Sequence, residues 1–163
     1  MNARGAAGRG ATRPGSLVLD DVARRLVEML QRDGRQSYAS LAAEVGLSET
    51  TVRQRVQRLV DAGVIQVVAV TDPTQVGFLR QAMIGIRVDG DPGAPLVGLE
   101  ALPEVEYLVS TAGSFDLLVE VVCEDDEHLL DLLARIRRLP GVTSTEAFLY
   151  LKLHRQRYDW GTR

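Results

Sequence analysis

Arginine, glutamine and threonine recur at helical spacing in the run Ser48-Glu49-Thr50-Thr51-Val52-Arg53-Gln54-Arg55-Val56-Gln57-Arg58. Arginine presents a planar fork that grips guanine bidentately, and glutamine pairs with adenine. Both, with serine and threonine, also hold phosphate oxygens. The chemistry this predicts is recognition of a DNA duplex rather than bond making. If Val52, Val56 and Leu59 turn inward, Thr50, Arg53 and Gln54 point at base edges. Ser48, Thr51, Arg55 and Arg58 then serve as phosphate anchors, with Ser37 and Tyr38 assisting from the preceding helix. For Arg55 and Arg58 the plainer alternative is surface pairing with Asp61 or Glu44.

A second group of polar residues is Gly113-Ser114-Phe115-Asp116, between two apolar runs. A turn glycine lets backbone amides approach a ligand, and Asp116 offers a carboxylate to an amino group. Ordinary hairpin chemistry explains the same residues: glycine for the turn, Phe115 for the core and Asp116 for a backbone bond. The acidic run Glu124–Glu127 stands at a helix start, where the helix dipole favours negative charge, and is not read as a metal site. His128 and His154 lack partners at metal-ligand spacing, and Cys123, the sole cysteine, ends an apolar strand and is expected to pack. No Gly-rich phosphate loop and no acid–base or nucleophile constellation appears, so neither an enzyme nor a bound cofactor is expected.

The elements that must position these groups follow from periodicity. Asp20 or Asp21 opens a first helix running to about Arg32, with Val22, Leu26, Met29 and Leu30 on its apolar face; Leu19 is placed to staple its start and Asp33-Gly34 to end it. Ser37 caps a second helix, Gly46 turns the chain, and Ser48 caps a third that stops at Gly63. Two short helices joined by one tight turn make a helix-turn-helix, whose natural partner is the major groove. The β-branched run 64–70 reads as a strand, with a hinge near 72–77. Beyond it, strand, helix, strand, tight turn, strand, helix and long final strand give the order β-α-β-β-α-β, a ferredoxin-like antiparallel sheet with both helices on one face. The uncovered face would carry Ile84, Ile86, Val119, Val121, Leu149 and Leu151 or their neighbours. An apolar face without a helix needs another partner, most simply a second copy.

The fold class is therefore α+β, an N-terminal helix-turn-helix joined to a C-terminal βαββαβ module. The segments are a disordered arm (1–16), the DNA-binding domain (17–66), a linker strand and hinge (67–80), the ferredoxin-like domain (81–153) and a tail (154–163). The arm is basic but lacks the apolar core of a secretory signal; its Arg4, Arg9 and Arg13 are read as solvated. Formal charge is −3 over 163 residues, unevenly placed. Residues 1–66 hold ten basic against seven acidic side chains, net +3, and residues 67–163 nine against fifteen, net −6. Phosphate attraction is screened within about 8 Å, so a locally basic face is sufficient for DNA. No apolar run approaches the ~20 residues of a membrane span, and one cysteine fits a reducing interior.

These residues resemble the leucine-responsive regulator (Lrp/AsnC) family of bacterial and archaeal transcription factors. The similarity runs from LDDVARRLVEMLQRDGR through LAAEVGLSETTVRQRVQRLVDAGVI and DPTQVG to GSFD and LPGV, covering about Leu19 to Leu153. The order of these pieces is more specific than any one of them. The resemblance implies a winged helix-turn-helix, a C-terminal module that senses an amino acid and assembles subunits, and a cytoplasmic, nucleoid-associated protein. It also implies that Gly113–Asp116 and the start of the last strand, here Thr143, Ser144 and Thr145, form an effector pocket between subunits. Hydroxyls there could hold an α-carboxylate. The family often has Tyr where this chain has Phe115. The implied partners are double-stranded DNA, a small-molecule amino-acid effector and the chain itself, as a homodimer or a higher even oligomer such as an octamer. The competing reading is an architectural DNA-binding protein with little sequence choice and no effector.

Overall fold

The structure is a computed structural model that describes residues 18–163. The arm assigned to 1–16 lies outside the described residues. The chain divides into two compact units, residues up to 69 with 155–163, and residues 70–154.

Among the described residues the first unit holds three helices, α1 (Asp21–Arg32), α2 (Tyr38–Val45) and α3 (Glu49–Asp61). Each begins on a side-chain cap: Asp20 accepts from the Ala23 amide (2.7 Å), Ser37 from Ser40 (3.2 Å) and Ser48 from Thr51 (3.2 Å). These oxygens satisfy amides that have no partner inside the helix. Gly46 ends α2 in the left-handed region (φ 69°), which fixes the tight turn before α3. Leu26, Met29, Leu41, Ala42, Val52 and Val56 form one buried cluster, and Ala23, Val27 and Leu59 a second. Val52, Val56 and Leu59 thus face inward as their spacing requires.

The second unit contains β1 (Arg80–Val88), α4 (Gly93–Glu100), β2 (Val105–Ser110), β3 (Leu117–Cys123), α5 (Asp126–Arg137) and β4 (Val142–Leu149). The strands lie in the order β2-β3-β1-β4 with every neighbouring pair antiparallel. Leu99 from α4 and Leu129, Leu132, Leu133 and Ile136 from α5 pack on Ala82, Ile84, Ile86, Leu117, Val119, Val121 and Cys123. Both helices therefore cover one face, and the α+β arrangement holds.

Three details differ from the sequence reading. Ile84, Ile86, Val119 and Val121 belong to the helix-covered face and are fully buried. Their neighbours line the open face: Met83 pairs with Glu120 and Phe148, and Gly85 with Leu118 and Glu146. Alternation was right but its phase was open, because both faces of β3 are apolar and a one-residue shift exchanges them. Second, residues 64–70 form no strand; Val67, Val68 and Val70 stay exposed. Their β-branched composition favours extended backbone, but among the described residues no strand pairs with it. Third, the final strand, expected from the sequence to run from Val142 to Leu153, ends at Leu149, and Leu151 and Leu153 are exposed.

Candidate functional site

The exposed side of α3 carries Thr50, Arg53, Gln54, Gln57 and Arg58, while Thr51 and Arg55 are half-buried at its flanks. Arg53 is held on both sides. Glu49, one turn earlier, receives its Nη2 at 2.8 Å, and its guanidinium lies 4.6 Å from the centroid of the Tyr38 ring. An i, i+4 ion pair and a cation–π contact each contribute only tenths of a kcal/mol at an exposed site, but together they fix the direction of a long side chain. Tyr38 is thus placed beneath Arg53 rather than beside it. Gln57 donates to Asp61 (2.8 Å), and the Ser48 and Thr51 hydroxyls lie 2.8 Å apart.

Arg55 turns the other way. Its Nη1 meets Asp20 Oδ2 at 2.7 Å, so Asp20 caps α1 with one oxygen and ties α3 with the other. The Arg55 hydrogen bond, followed by the Ala23 amide, holds the Asp20 carboxyl below its ordinary value. The partners weighed from sequence are otherwise engaged, Glu44 with Arg25 (3.6 Å) and Asp61 with Gln57. Thirty-five residues separate Asp20 from Arg55, so no local spacing signals the pair. The Glu49–Arg53 pair, by contrast, has the i, i+4 spacing that sequence can reveal.

In the second unit, Gly113–Asp116 is bound to the end of β1. The Asp116 amide donates to Ile86 O (2.9 Å), its Oδ2 accepts from the Val88 amide (2.9 Å), and its carbonyl accepts from the Thr111 amide (2.9 Å). The Thr111 hydroxyl donates to Phe115 O. The hairpin role of Asp116 is therefore present in full. Phe115 folds onto the open sheet face: a Cβ on Gly85 would lie 2.7 Å from its ring. Arg87 lies 5.5 Å from the ring centroid and Phe148 meets it edge-on at 6.1 Å. Gly113 has open space around a would-be Cβ, so packing within the chain does not demand glycine there.

The residues of β4 split. Ser144 pairs in register with Arg87, while Thr145 pairs with Ile86 and its hydroxyl accepts from Arg137 Nε (2.9 Å) on the helix side. Thr143 donates to Arg87 O (3.0 Å). Arg87 and Gly85 escaped the sequence reading; an arginine and a glycine inside an apolar strand are its only trace.

The acidic run is structural. Asp125 caps α5 through the His128 amide (2.8 Å), and Asp126 pairs with Arg80. Among the described residues no three His, Cys, Asp or Glu groups are placed to hold a metal. Burial, then the nearby Glu104 and Asp125, pushes the Cys123 thiol up to about 11, so it packs as a thiol.

A capped helix-turn-helix with exposed arginines on its second helix, joined to a separate ferredoxin-like module, defines a DNA-binding protein with a second domain. Residues 19–66 match the family model for winged helix-turn-helix DNA-binding, and residues 81–160 that for the Lrp/AsnC ligand binding domain. The HTH-type transcriptional regulator FL11 of Pyrococcus furiosus is 30% identical over 141 residues, 85% of this chain and 93% of that protein. The structure resembles that of the Mycobacterium tuberculosis leucine response regulatory protein LrpA, with TM-score 0.77 and 36% identity over 86% of this chain and 99% of that one. It also resembles a feast or famine regulatory protein from M. tuberculosis complexed with L-methionine, with TM-score 0.78 and 35% identity over 85% and 95%. The chain belongs to the Lrp/AsnC family of transcriptional regulators.

Proposed function

We propose that this regulator reads operator sequence through Thr50, Arg53 and Gln54, with Ser37, Ser48, Thr51 and Arg58 anchoring phosphates. The observation that carries the assignment is the division of α3: Val52, Val56 and Leu59 are buried while the Arg and Gln side chains between them are exposed. Tyr38 and Glu49 orient Arg53 before DNA arrives. Arg55, bound to Asp20, serves the fold first and reaches phosphate only by exchanging that partner. Two such helices in a dimer would meet successive major-groove faces about 34–36 Å apart.

The second unit supplies assembly and sensing in this reading. The open sheet face, with Met83, Leu118, Phe148 and Phe115, is the surface for a second copy, giving a homodimer and higher even oligomers. Gly113–Asp116, Thr143 and Ser144 gather around the end of β1 with Arg87, a cation suited to an α-carboxylate. L-Methionine in a related regulator supports an amino acid as effector. Thr145, turned to Arg137, contributes to the packing of α5 rather than to that pocket. Such a protein acts on the nucleoid in the cytoplasm.

Replacing Arg53 by Ala tests the DNA assignment. Affinity for a selected operator should fall by ~1–3 kcal/mol, towards that for random duplex, with fold and oligomer unchanged. Unaltered operator affinity rejects it. Calorimetry with a panel of amino acids tests sensing: one member should release or absorb heat, and silence across the panel identifies a regulator without a sensor.

A further inference from the structure

Asp20 uses its two carboxylate oxygens for different ends. Oδ1 accepts from the Ala23 amide at 2.7 Å and caps α1, and Oδ2 receives Arg55 Nη1 of α3 at 2.7 Å. Capping needs only an acceptor oxygen, which Asn and Ser supply as well as Asp does. The negative charge is therefore left over for Arg55. Both side chains reach water, with 56% of Asp20 and 34% of Arg55 exposed, so the pair lies on the surface of the helix-turn-helix. Asp20 is ionised through the neutral range, its carboxyl held below the ordinary value first by the Arg55 hydrogen bond.

That surface is one flank of α3. Thr51, Arg55 and Arg58 stand at i, i+4 and i+7 and share a side of the helix, while Glu49 and Arg53, with Tyr38 against them, occupy the other. A helix about 10–12 Å across fills a major groove about 12 Å wide, so each flank of a recognition helix meets a phosphate backbone. Arg55 and Arg58 line one shallow cleft with Asp20, Ala23 and Leu59. Within it the Asp20 carboxylate holds the guanidinium by the charge-assisted bond that a phosphate oxygen would make. Residues 17–66 carry seven basic and seven acidic side chains, so this unit has no surplus charge to offset one masked arginine.

We propose that Asp20 is an internal competitor for Arg55: it stands where a DNA phosphate binds, must be displaced when α3 enters the groove, and so holds operator affinity below what the same helix gives without it. The proposal rests on the DNA-binding reading. An exposed ion pair is weak, so a well-placed phosphate displaces the carboxylate, and the affinity lost equals the strength of the pair. While the pair stands, its charges cancel and Arg55 neutralises no phosphate. Asp20 thus works through Arg55 and touches no DNA itself.

A double-mutant cycle in the full-length protein tests this. Asp20→Asn keeps the cap and removes the charge, and Arg55→Gln removes its partner. These two, the double variant and the unaltered protein are titrated over a range of salt against an operator recovered by selection. Asp20→Asn should tighten binding roughly two- to fivefold, the strength of an exposed ion pair, and steepen the slope of log affinity against log salt by about 0.9. Arg55→Gln should weaken binding, and adding Asp20→Asn to it should restore nothing, because the gain passes through Arg55. Binding no tighter in Asp20→Asn overturns the proposal. So does an equal gain in the double variant, which marks general repulsion between the carboxylate and DNA. Should Asp20→Asn disturb folding, Asp20→Ser, which also caps, takes its place in the cycle. If the unaltered protein shows no preference for operator over random duplex, it is the DNA-binding reading that fails.

Discussion

Arg53 is oriented within the protein itself, with Glu49 on one side and Tyr38 beneath it, as its proposed role at base edges requires. A lysine there keeps the charge but loses the planar fork. Arg53→Lys should therefore bind random duplex as the parent does while losing about tenfold or more on operator, read from paired titrations. Arg58→Gln should do the opposite, weakening all duplexes evenly and lowering the slope of log affinity against log salt by about 1. Four carboxyls respond to acid in a common direction, Asp159 beside Arg157 among them. Arg55 holds Asp20 below its ordinary value of 3.8 and Arg80 does the same for Asp126. Burial raises the Glu104 carboxyl, but hydrogen bonds from His128 and Arg135 outweigh it and leave it below 4.5. A carboxyl lowered by folding contributes stability that is complete above its unfolded value and is lost as pH falls through its folded one. Urea midpoints should then stay level from about pH 7 to 5 and drop below about pH 4, and Asp20→Asn should flatten that drop while lowering the midpoint at neutral pH. A midpoint that rises on acidification contradicts the assignment.

At the scale of elements, legibility followed distance along the chain. The helix-turn-helix was readable because its signals are local: caps at Ser37 and Ser48, the turn at Gly46, and one apolar stripe per helix. The order β-α-β-β-α-β was readable for the same reason. The phase of the sheet was not, since Leu117–Cys123 is apolar on both faces and only packing against α4 and α5 decides which side is covered. Nor was the missing strand at 64–70, whose residues favour extended backbone whether or not a neighbour exists. The loop Gly113–Asp116 was legible as a turn, but the fit of Phe115 over Gly85 joins residues thirty apart. That fit makes a prediction. Gly85→Ala places a Cβ 2.7 Å from the Phe115 ring and must displace it, together with the loop carrying Gly113 and Asp116. Effector heats should vanish while operator binding by the free protein is retained; unchanged effector binding would show that the ring does not position the loop.

Across the whole molecule, charge and surface are divided between two tasks. The basic excess of the first 66 residues is that of Arg4, Arg9 and Arg13, since residues 17–66 hold seven basic and seven acidic side chains; attraction for DNA at α3 must therefore come from the placement of its own exposed arginines. The sheet leaves Met83, Leu118, Phe115 and Phe148 on a face that neither α4 nor α5 covers. In the proposed reading, base recognition and assembly sit on separate surfaces, so that a ligand can alter spacing without touching α3; coupling of ~1–3 kcal/mol is typical of such arrangements. The most direct measurement is selection of bound sequences from random duplex DNA by the full-length protein. The recovered pool should converge on a two-fold-related motif with half-sites one helical turn or a multiple apart, bound ~10³-fold or more above random sequence. A pool that converges on no motif, or retention below about tenfold, would show that α3 does not read bases and that the protein covers DNA without choosing it.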